Sequence, residues 1–349
     1  PTVDMRRRFE VGANVDKEGH ACCDVKWVQP EIFGSKASAT ATLSSTATTA
    51  REFSLRLSSP VWRASGDLEV SRKKREETAS GYSSICTQGL FRLGGGLNQL
   101  GSWRLDADWS LRDLDPKGAP QHYPSMQLQQ EQLRSMKTSL KYTTSRYAEV
   151  FSGLLNAKVA MEVAGPPGNV SFLRGEATVK AGVPFNALGR LWQGHLSMGC
   201  GLLLPAARSC LQDRFHLGGA SGTSSLKGFK ERGAEPRELC AQRTLELKES
   251  DRHQDAQGGE AMASLFTAVS TPCHFLRLEG AQLLGFLGFG VLQRSLHSRG
   301  EIVRVSAGCG ITLPLGPGSL ELTFAQPLRS GAADVLQRWQ LGLRLHIED

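Results

Sequence analysis

The 349-residue chain contains no apolar run that approaches the ~20 residues needed by a transmembrane helix. It also shows no secretory signal near its start, because the basic run Arg6–Arg8 is not followed by an apolar stretch. The first absence argues against a helical membrane span within these residues. It does not argue against a membrane protein, because a β-barrel strand needs only about 9–11 residues and alternates apolar with polar positions.

Motifs of catalysis and cofactor binding are also scarce. The eight cysteines form no Cys-x-x-Cys pair and match no zinc spacing, so we expect free thiols. No Gly-x-Ser-x-Gly nucleophile elbow occurs, and the glycine-rich stretch 285–290 lacks the lysine of a phosphate-binding loop. The net charge of +7 is spread along the chain, apart from two short basic runs. The sequence therefore predicts a protein that is not an enzyme and uses no cofactor, metal or nucleic acid.

What the chain does contain is alternation of apolar and polar residues with a period of two. Over 340–347 every second residue is leucine or isoleucine, and over 103–112 the apolar positions alternate with charged ones and serine. Period two places the two sets on opposite faces of a strand. Charges are costly against lipid but tolerated against a wet lumen. The alternative is a soluble all-β protein, but its strands are typically ~5–6 residues long, shorter than these runs.

Runs of this kind, bounded by turn residues, number about sixteen, an even count as in single-chain outer-membrane barrels. Long polar connections separate some of them, at 113–133 and 205–258. We therefore predict an all-β fold, with residues 1–349 forming one transmembrane antiparallel β-barrel. The predicted strands are 8–14, 20–28, 37–46, 51–58, 64–73, 83–92, 101–112, 134–145, 154–164, 169–180, 190–204, 259–270, 274–286, 301–314, 318–327 and 336–347.

The connection 205–258 carries two short motifs. A Phe-x-Leu-Gly-Gly sequence is followed closely by a hydrophobic–basic–glycine–phenylalanine tetrapeptide. Their order, after the eleventh predicted strand, resembles the signature loop of the BamA-type outer-membrane assembly superfamily, the bacterial surface antigen family. The resemblance implies that the loop folds back into the barrel lumen and that its basic residue docks on the inner wall. The residues that carry it are Phe215, Gly218, Gly219, Leu226, Lys227, Gly228 and Phe229.

Both ends of the chain resemble the core barrel subunit of the mitochondrial sorting and assembly machinery within that family. Val11 and Gly12 match its first strand, and 29–34 resembles the corner that follows its second strand. The last strand resembles a mitochondrial β-signal, which is polar-x-Gly-x-x-hydrophobic-x-hydrophobic. The resemblance implies a lateral gate between the first and last strands. The β-signal positions are Gln340, Gly342, Leu345 and Ile347.

Some features depart from the family pattern. The tetrapeptide usually carries arginine, whereas Lys227 keeps the charge but lacks the bidentate fork. The family's polar wall residue falls at Leu278, so we hypothesise that Lys227 pairs with the adjacent Glu279, which requires a bulge. We expect no POTRA domain before the barrel in this sequence.

The resemblance implies an insertase that folds β-barrel proteins into the mitochondrial outer membrane. Its partners would be the lipid bilayer, β-barrel precursor proteins as clients, and accessory subunits of an assembly complex. The alternatives are a protein-conducting or solute channel of an organelle outer membrane, as in plastid import, and a bacterial outer-membrane homologue.

Overall fold

A computed structural model gives the fold of most of the chain, and strands dominate it. No helix in the described ranges is long and apolar enough to cross a membrane. The residues that the structure describes are 8–15, 21–30, 37–46, 51–61, 64–98, 101–116, 131–150, 153–187, 189–206, 210–220, 224–239, 254–273, 280–297, 302–315 and 318–345.

Eleven strands precede the long connection, and each pairs with the next along the chain. They are β1 (Arg8–Val15), β2 (Ala21–Gln29), β3 (Ser38–Thr46), β4 (Arg51–Val61), β5 (Ala64–Glu77), β6 (Tyr82–Asn98), β7 (Gly101–Pro116), β8 (Arg134–Val150), β9 (Gly153–Ala164), β10 (Phe172–Ala187) and β11 (Arg190–Pro205). Within the connection lie three short strands, β12 (Gly228–Phe229), β13 (Arg237–Leu239) and β14 (Gln254–Ala256). The remaining strands are β15 (Ala261–Pro272), β16 (Gln282–Gln293), β17 (Arg304–Leu315), β18 (Gly318–Arg329), β19 (Leu336–Gln337) and β20 (Trp339–Leu345).

Sixteen of these strands form one antiparallel sheet, in the order β1 to β11, then β15 to β18, then β20. β12 pairs with β19, and β13 pairs with β14. The strands in the middle of the sheet are long, with 17 residues in β6 and in β8. The described parts of the first and last strands are 8 residues in β1 and 7 in β20. Within the described residues, each of these two strands has one paired neighbour.

The two faces of the sheet have opposite chemistry. On β9, Val159, Met161 and Val163 are exposed, while the residues that alternate with them, Ala160, Glu162 and Ala164, are buried. On β7, Trp109 is exposed, while the neighbouring polar Ser110 is buried. This is the reverse of a soluble sheet, where apolar side chains face inward. The outer face is therefore suited to lipid and the inner face to a polar lumen, which confirms the predicted transmembrane barrel.

Several predicted strand boundaries are wrong. The strand predicted at 274–286 is β16, which covers Gln282–Gln293, and 274–279 lies outside the described residues. The strand predicted at 83–92 extends to Asn98, because the run 94–96 continues the ladder with β7. The second error arises because the glycine run 94–96 was interpreted as a turn, whereas a glycine keeps both backbone hydrogen-bonding groups and can remain in a strand. The strand predicted at 336–347 divides into β19, which pairs outside the main sheet, and β20.

Candidate functional site

Residues 206–260 connect β11 to β15, and the described residues among them pack against the inner face of the barrel. Leu217, Leu226 and Phe229 from this loop are each at most 1% exposed. They form one apolar cluster with wall residues that include Leu203 of β11 and Leu292 of β16. We call residues 206–260 the lumen loop. Its apolar docking confirms that the loop enters the lumen.

Lys227 anchors the tetrapeptide to the barrel wall. Its ammonium group forms a buried ion pair with Glu321 of β18 and also donates to the Ala220 carbonyl at 3.4 Å. The same nitrogen lies 5.9 Å and 5.6 Å from the ring centroids of Phe266 and Phe286, which is within cation–π range. The hypothesised partner, Glu279, lies outside the described residues, and the structure instead gives Lys227 a carboxylate two strands away from β16. Period-two alternation had placed Glu321 on the polar face, but no local signal linked it to Lys227.

Gln340 joins the tetrapeptide to the last strand. The Gly228 amide donates to Gln340 Oε1 at 3.2 Å, and Gln340 Nε2 donates to the Phe229 carbonyl at 2.6 Å. Gln340 is 4% exposed, whereas the next residue, Leu341, is 67% exposed on the lipid face. A primary amide is suited to this role because it carries both a donor and an acceptor. The polar position of the predicted β-signal is therefore also the docking point of the lumen loop.

A short ladder extends this attachment to the segment before the last strand. Gly228 and Phe229 pair with Gln337 and Leu336. Beyond them, the Lys230 amide donates to the Val335 carbonyl at 2.9 Å. The preceding Asp334 is held by two nitrogens of Arg304, on β17, at 2.9–3.0 Å. The lumen loop thus contacts both β20 and the turn that leads into it.

Glycines make the close approach of the loop possible. Gly228 has a φ of 91°, and a Cβ at this position would lie 3.2 Å from the Cβ of Ala325 on β18. On β16, a Cβ at Gly290 would lie 2.8 Å from the Leu217 side chain. The first position needs the left-handed backbone that glycine tolerates, and the second needs empty space. Gly288 and Gly290 of β16 therefore leave room for the loop leucines Leu226 and Leu217.

The first motif of the loop is fixed by backbone bonds. Phe215 and Gly259 exchange two amide–carbonyl hydrogen bonds of 2.9 Å. The Phe215 ring lies against Gly201 of β11 and 4.5 Å from the guanidinium of Arg174. Gly218 and Gly219 both adopt positive φ, at 128° and 89°. The predicted motif residues are thus brought together with the tetrapeptide, to which Gly219 is joined through a bridge to Leu226.

Two charged residues that sequence reasoning missed hold the loop in shape. The carboxylate of Glu235 is fully buried and accepts from the amides of Leu217 and Gly258, each at 3.0 Å, with His216 Nδ1 at 3.0 Å. Arg232 reaches the opposite wall, where it pairs with Glu77 at 2.9 Å. In the sequence, the only indication of a role for Glu235 or Arg232 is that each is a charged residue close to glycine and proline. Together with the Lys227 contact, these bonds connect distant parts of the wall through the loop.

The polar end of the loop also contains a half-buried thiol, that of Cys210. Burial raises the pKa of Cys210 to about 12, and the nearby carboxylates of Glu131 and Asp213 act in the same direction. Asp213 is paired with Arg112 of β7 at 2.8 Å.

Cys86, Cys200, Cys210, Cys273 and Cys309 are all free, which confirms the predicted free thiols at these five positions. Among the described residues, no group of three or more His, Cys, Asp or Glu is arranged to hold a metal ion.

The predicted seam residues are placed as backbone only. Val11 pairs with Val25 and Gly12 with Asp24. At the other end Leu345 pairs with Gly318, and Ile347 lies outside the described residues. A Cβ at Gly342 would lie 3.8 Å from the Glu321 Cβ, which is ordinary contact. Packing within this chain therefore does not require a glycine at 342.

Fold and site together define a class of protein, an outer-membrane β-barrel with a loop docked in its lumen. Comparison of the sequence with protein families matches the Omp85 superfamily domain to residues 11–344. The chain therefore belongs to the Omp85 superfamily.

Three solved structures of similar fold illustrate the likeness. BamA from Haemophilus ducreyi lacking POTRA domains 1-3 gives a TM-score of 0.77 at 14% identity, over 96% of this chain and 70% of that one. CdiB from Acinetobacter baumannii gives a TM-score of 0.59 at 12% identity, over 97% of this chain and 58% of that one. CdiB from Escherichia coli gives a TM-score of 0.58 at 14% identity, over 98% of this chain and 68% of that one. At these identities the likeness concerns the fold. No curated protein sequence matches this chain.

Proposed function

We propose that this protein is an insertase that folds β-barrel precursors into the mitochondrial outer membrane. The observation that carries the proposal is the double hydrogen bond between Gln340 of the last strand and the lumen-loop tetrapeptide. It makes the position of the loop and the state of the last strand depend on each other. The docked loop would then hold the last strand in the closed state of the seam between β1 and β20.

The insertion step follows from backbone physics. A strand edge without a partner is costly in hydrocarbon, because its N–H and C=O groups cannot bond to water. The edge of β1 would therefore pair with the β-signal strand of a client by strand addition. Burial of client apolar surface in lipid would supply the driving free energy, without catalysis, cofactor or metal.

The mitochondrial membrane and the partners are part of the proposal. The resemblance of the N-terminal corner and of the β-signal at Gln340 and Gly342 to the sorting and assembly machinery supports them. The clients would be β-barrel precursors, and accessory subunits would complete an assembly complex. Import of the chain into isolated mitochondria should give a protein of the outer membrane that resists carbonate extraction.

A cross-linking experiment tests the lateral gate. In a variant without native cysteines, Gly12→Cys is introduced on β1, and a client precursor carries one cysteine in its terminal strand. We expect a disulfide in membranes that disappears when the client β-signal is mutated. Gly175→Cys on β10 is the matched control, because a Cβ there meets no atom within 4 Å and the strand lies far from the seam.

The result separates insertion from conduction. Equal cross-linking at positions 12 and 175 would mean unspecific proximity and would contradict the gate. No cross-link at either position, together with a conducting pore in planar bilayers, would support the channel alternative instead.

A further inference from the structure

The inner wall of the barrel matches most of its positive charges with negative ones. Several lysines and arginines on the lumen face of β4 to β10 are held by carboxylates on a neighbouring strand, on the same strand or in the lumen loop. These pairs are Arg56–Asp67, Lys73–Glu52, Arg92–Glu69, Arg104–Asp106, Arg112–Asp213, Lys137–Glu162 and Arg174–Glu176. Pairing of this kind lowers the cost of placing charge against a partly enclosed wall.

Two lysines on β9 and β10 have no carboxylate directly opposite them on the neighbouring strands. Lys158 lies opposite Thr178 and Ser145, and Lys180 lies opposite Asn156 and Ser197, so their cross-strand neighbours are neutral. Both lysines are exposed. Within the described ranges, neither ammonium group has an ion-pair or hydrogen-bond partner. They are therefore cations available for a ligand.

The two lysines border a polar groove of about 200 Å³. We define the β9–β10 groove as Asn156, Lys158, Ala160, Glu176, Thr178 and Lys180. The carboxylate in it, Glu176, is already paired with Arg174. A groove of this size admits water and the carboxylate oxygens of a side chain. Asn156 and Thr178 add neutral hydrogen-bonding groups between the cations.

We propose that the β9–β10 groove binds the carboxylates of an extended acidic polypeptide segment inside the lumen. Lys158 and Lys180 are diagonal neighbours across the two strands, a relation that places Cα atoms roughly 7–8 Å apart. Acidic residues at alternate positions of an extended peptide repeat every ~6.6–6.8 Å. The spacing therefore suits two side chains of one strand-like segment.

The location of the groove selects this partner over a lipid headgroup. Val159 and Met161, which alternate with the groove residues on β9, face outward and are exposed as large apolar side chains. The groove opens to the opposite face, away from lipid. The site does not depend on seam opening, so it goes beyond the proposed insertase function and can be tested in the resting barrel.

The test uses the full chain in nanodiscs of neutral phosphatidylcholine. The probe is a fluorescent peptide of alternating Asp and Thr, and its binding is measured by fluorescence polarisation. A peptide of alternating Asn and Thr is the uncharged control. We expect Lys158→Gln with Lys180→Gln to weaken binding about tenfold, because it removes two partly exposed charge contacts. Lys158→Arg with Lys180→Arg should keep binding, which shows that the barrel itself is intact.

The control variant, Lys73→Gln with Lys141→Gln, removes two lumen charges from other places and should change binding less than about twofold. An equal loss in that control would overturn the proposal in favour of overall lumen charge. Unchanged binding in the double glutamine variant would also overturn it. Displacement of the peptide by inorganic phosphate, beyond the effect of chloride at equal ionic strength, would mean a site for small anions instead.

Discussion

The ion pair between Lys227 and Glu321 should hold the lumen loop in its docked position, and Lys227→Met tests this. The two side chains are 7% and 11% exposed, so removing the ammonium leaves a carboxylate in a mostly enclosed place. Loss of one member of a buried pair costs about 3–5 kcal/mol. We take the lower value, about 3 kcal/mol, because the lumen is polar. Methionine keeps the contact with the rings of Phe266 and Phe286, so the change isolates the charge.

Hydrogen exchange of the loop backbone measures this cost. The Lys230 and Val335 amides donate to the Val335 and Gly233 carbonyls, each at 2.9 Å, only while the loop is docked. A loss of about 3 kcal/mol should accelerate their exchange roughly 150-fold, if exchange follows local opening. The matched control is Arg56→Met, because Arg56 is 46% exposed in its pair with Asp67. Loss of such an exposed pair should cost less than about 1 kcal/mol.

A double-mutant cycle decides whether the pair itself is responsible. Glu321→Gln alone should also accelerate exchange. In the double variant with Lys227→Met, the loss of docking free energy should be smaller than the sum of the losses in the two single variants. Exchange in Lys227→Met at the wild-type rate would refute the reasoning, since the ladder and the apolar cluster would then hold the loop alone. Strict additivity of the two changes would refute it as well.

Three other features of the docked loop give measurable outcomes. Gly290→Val should destabilise docking by about 1–3 kcal/mol through overpacking, seen as faster loop exchange, whereas Gly285→Val should not, because a Cβ there meets nothing within 4 Å. Gln340→Leu should cost about 1–3 kcal/mol by leaving the Gly228 amide without its acceptor, and exchange of that amide unchanged in the variant would contradict the clamp. With Cys210 as the single cysteine, alkylation at pH 8 should be about a thousandfold slower in the folded barrel than in urea, because its pKa is raised to about 12. The stability linked to this neutral thiol should persist below pH ~8.5 and decline as the pH rises toward 12, so a folded-state labelling rate equal to the unfolded one would refute the burial argument.

The sequence by itself determined the architecture and the two chemical faces of the wall. Period two is a local property of an extended chain, so residues such as Gln340 and Leu341 could be assigned to opposite faces without any tertiary information. The two motifs of the lumen loop could also be recognised in the sequence, because glycines at fixed offsets and a basic residue form a local pattern. The count of sixteen strands followed from the same alternation.

Only the tertiary structure decided which groups meet. The partner of Lys227 lies 94 residues away on β18, and its identity depends on the path of the loop through the lumen. The burial of Glu235 and the loop contact of Gln340 depend on the same path. The strand predicted at 274–286 stopped short of Gly290, because the role of that glycine is to admit Leu217 from a distant segment. Alternation reports the face on which a residue lies, whereas the choice of partner across the lumen depends on register and loop closure, which no short stretch of sequence contains.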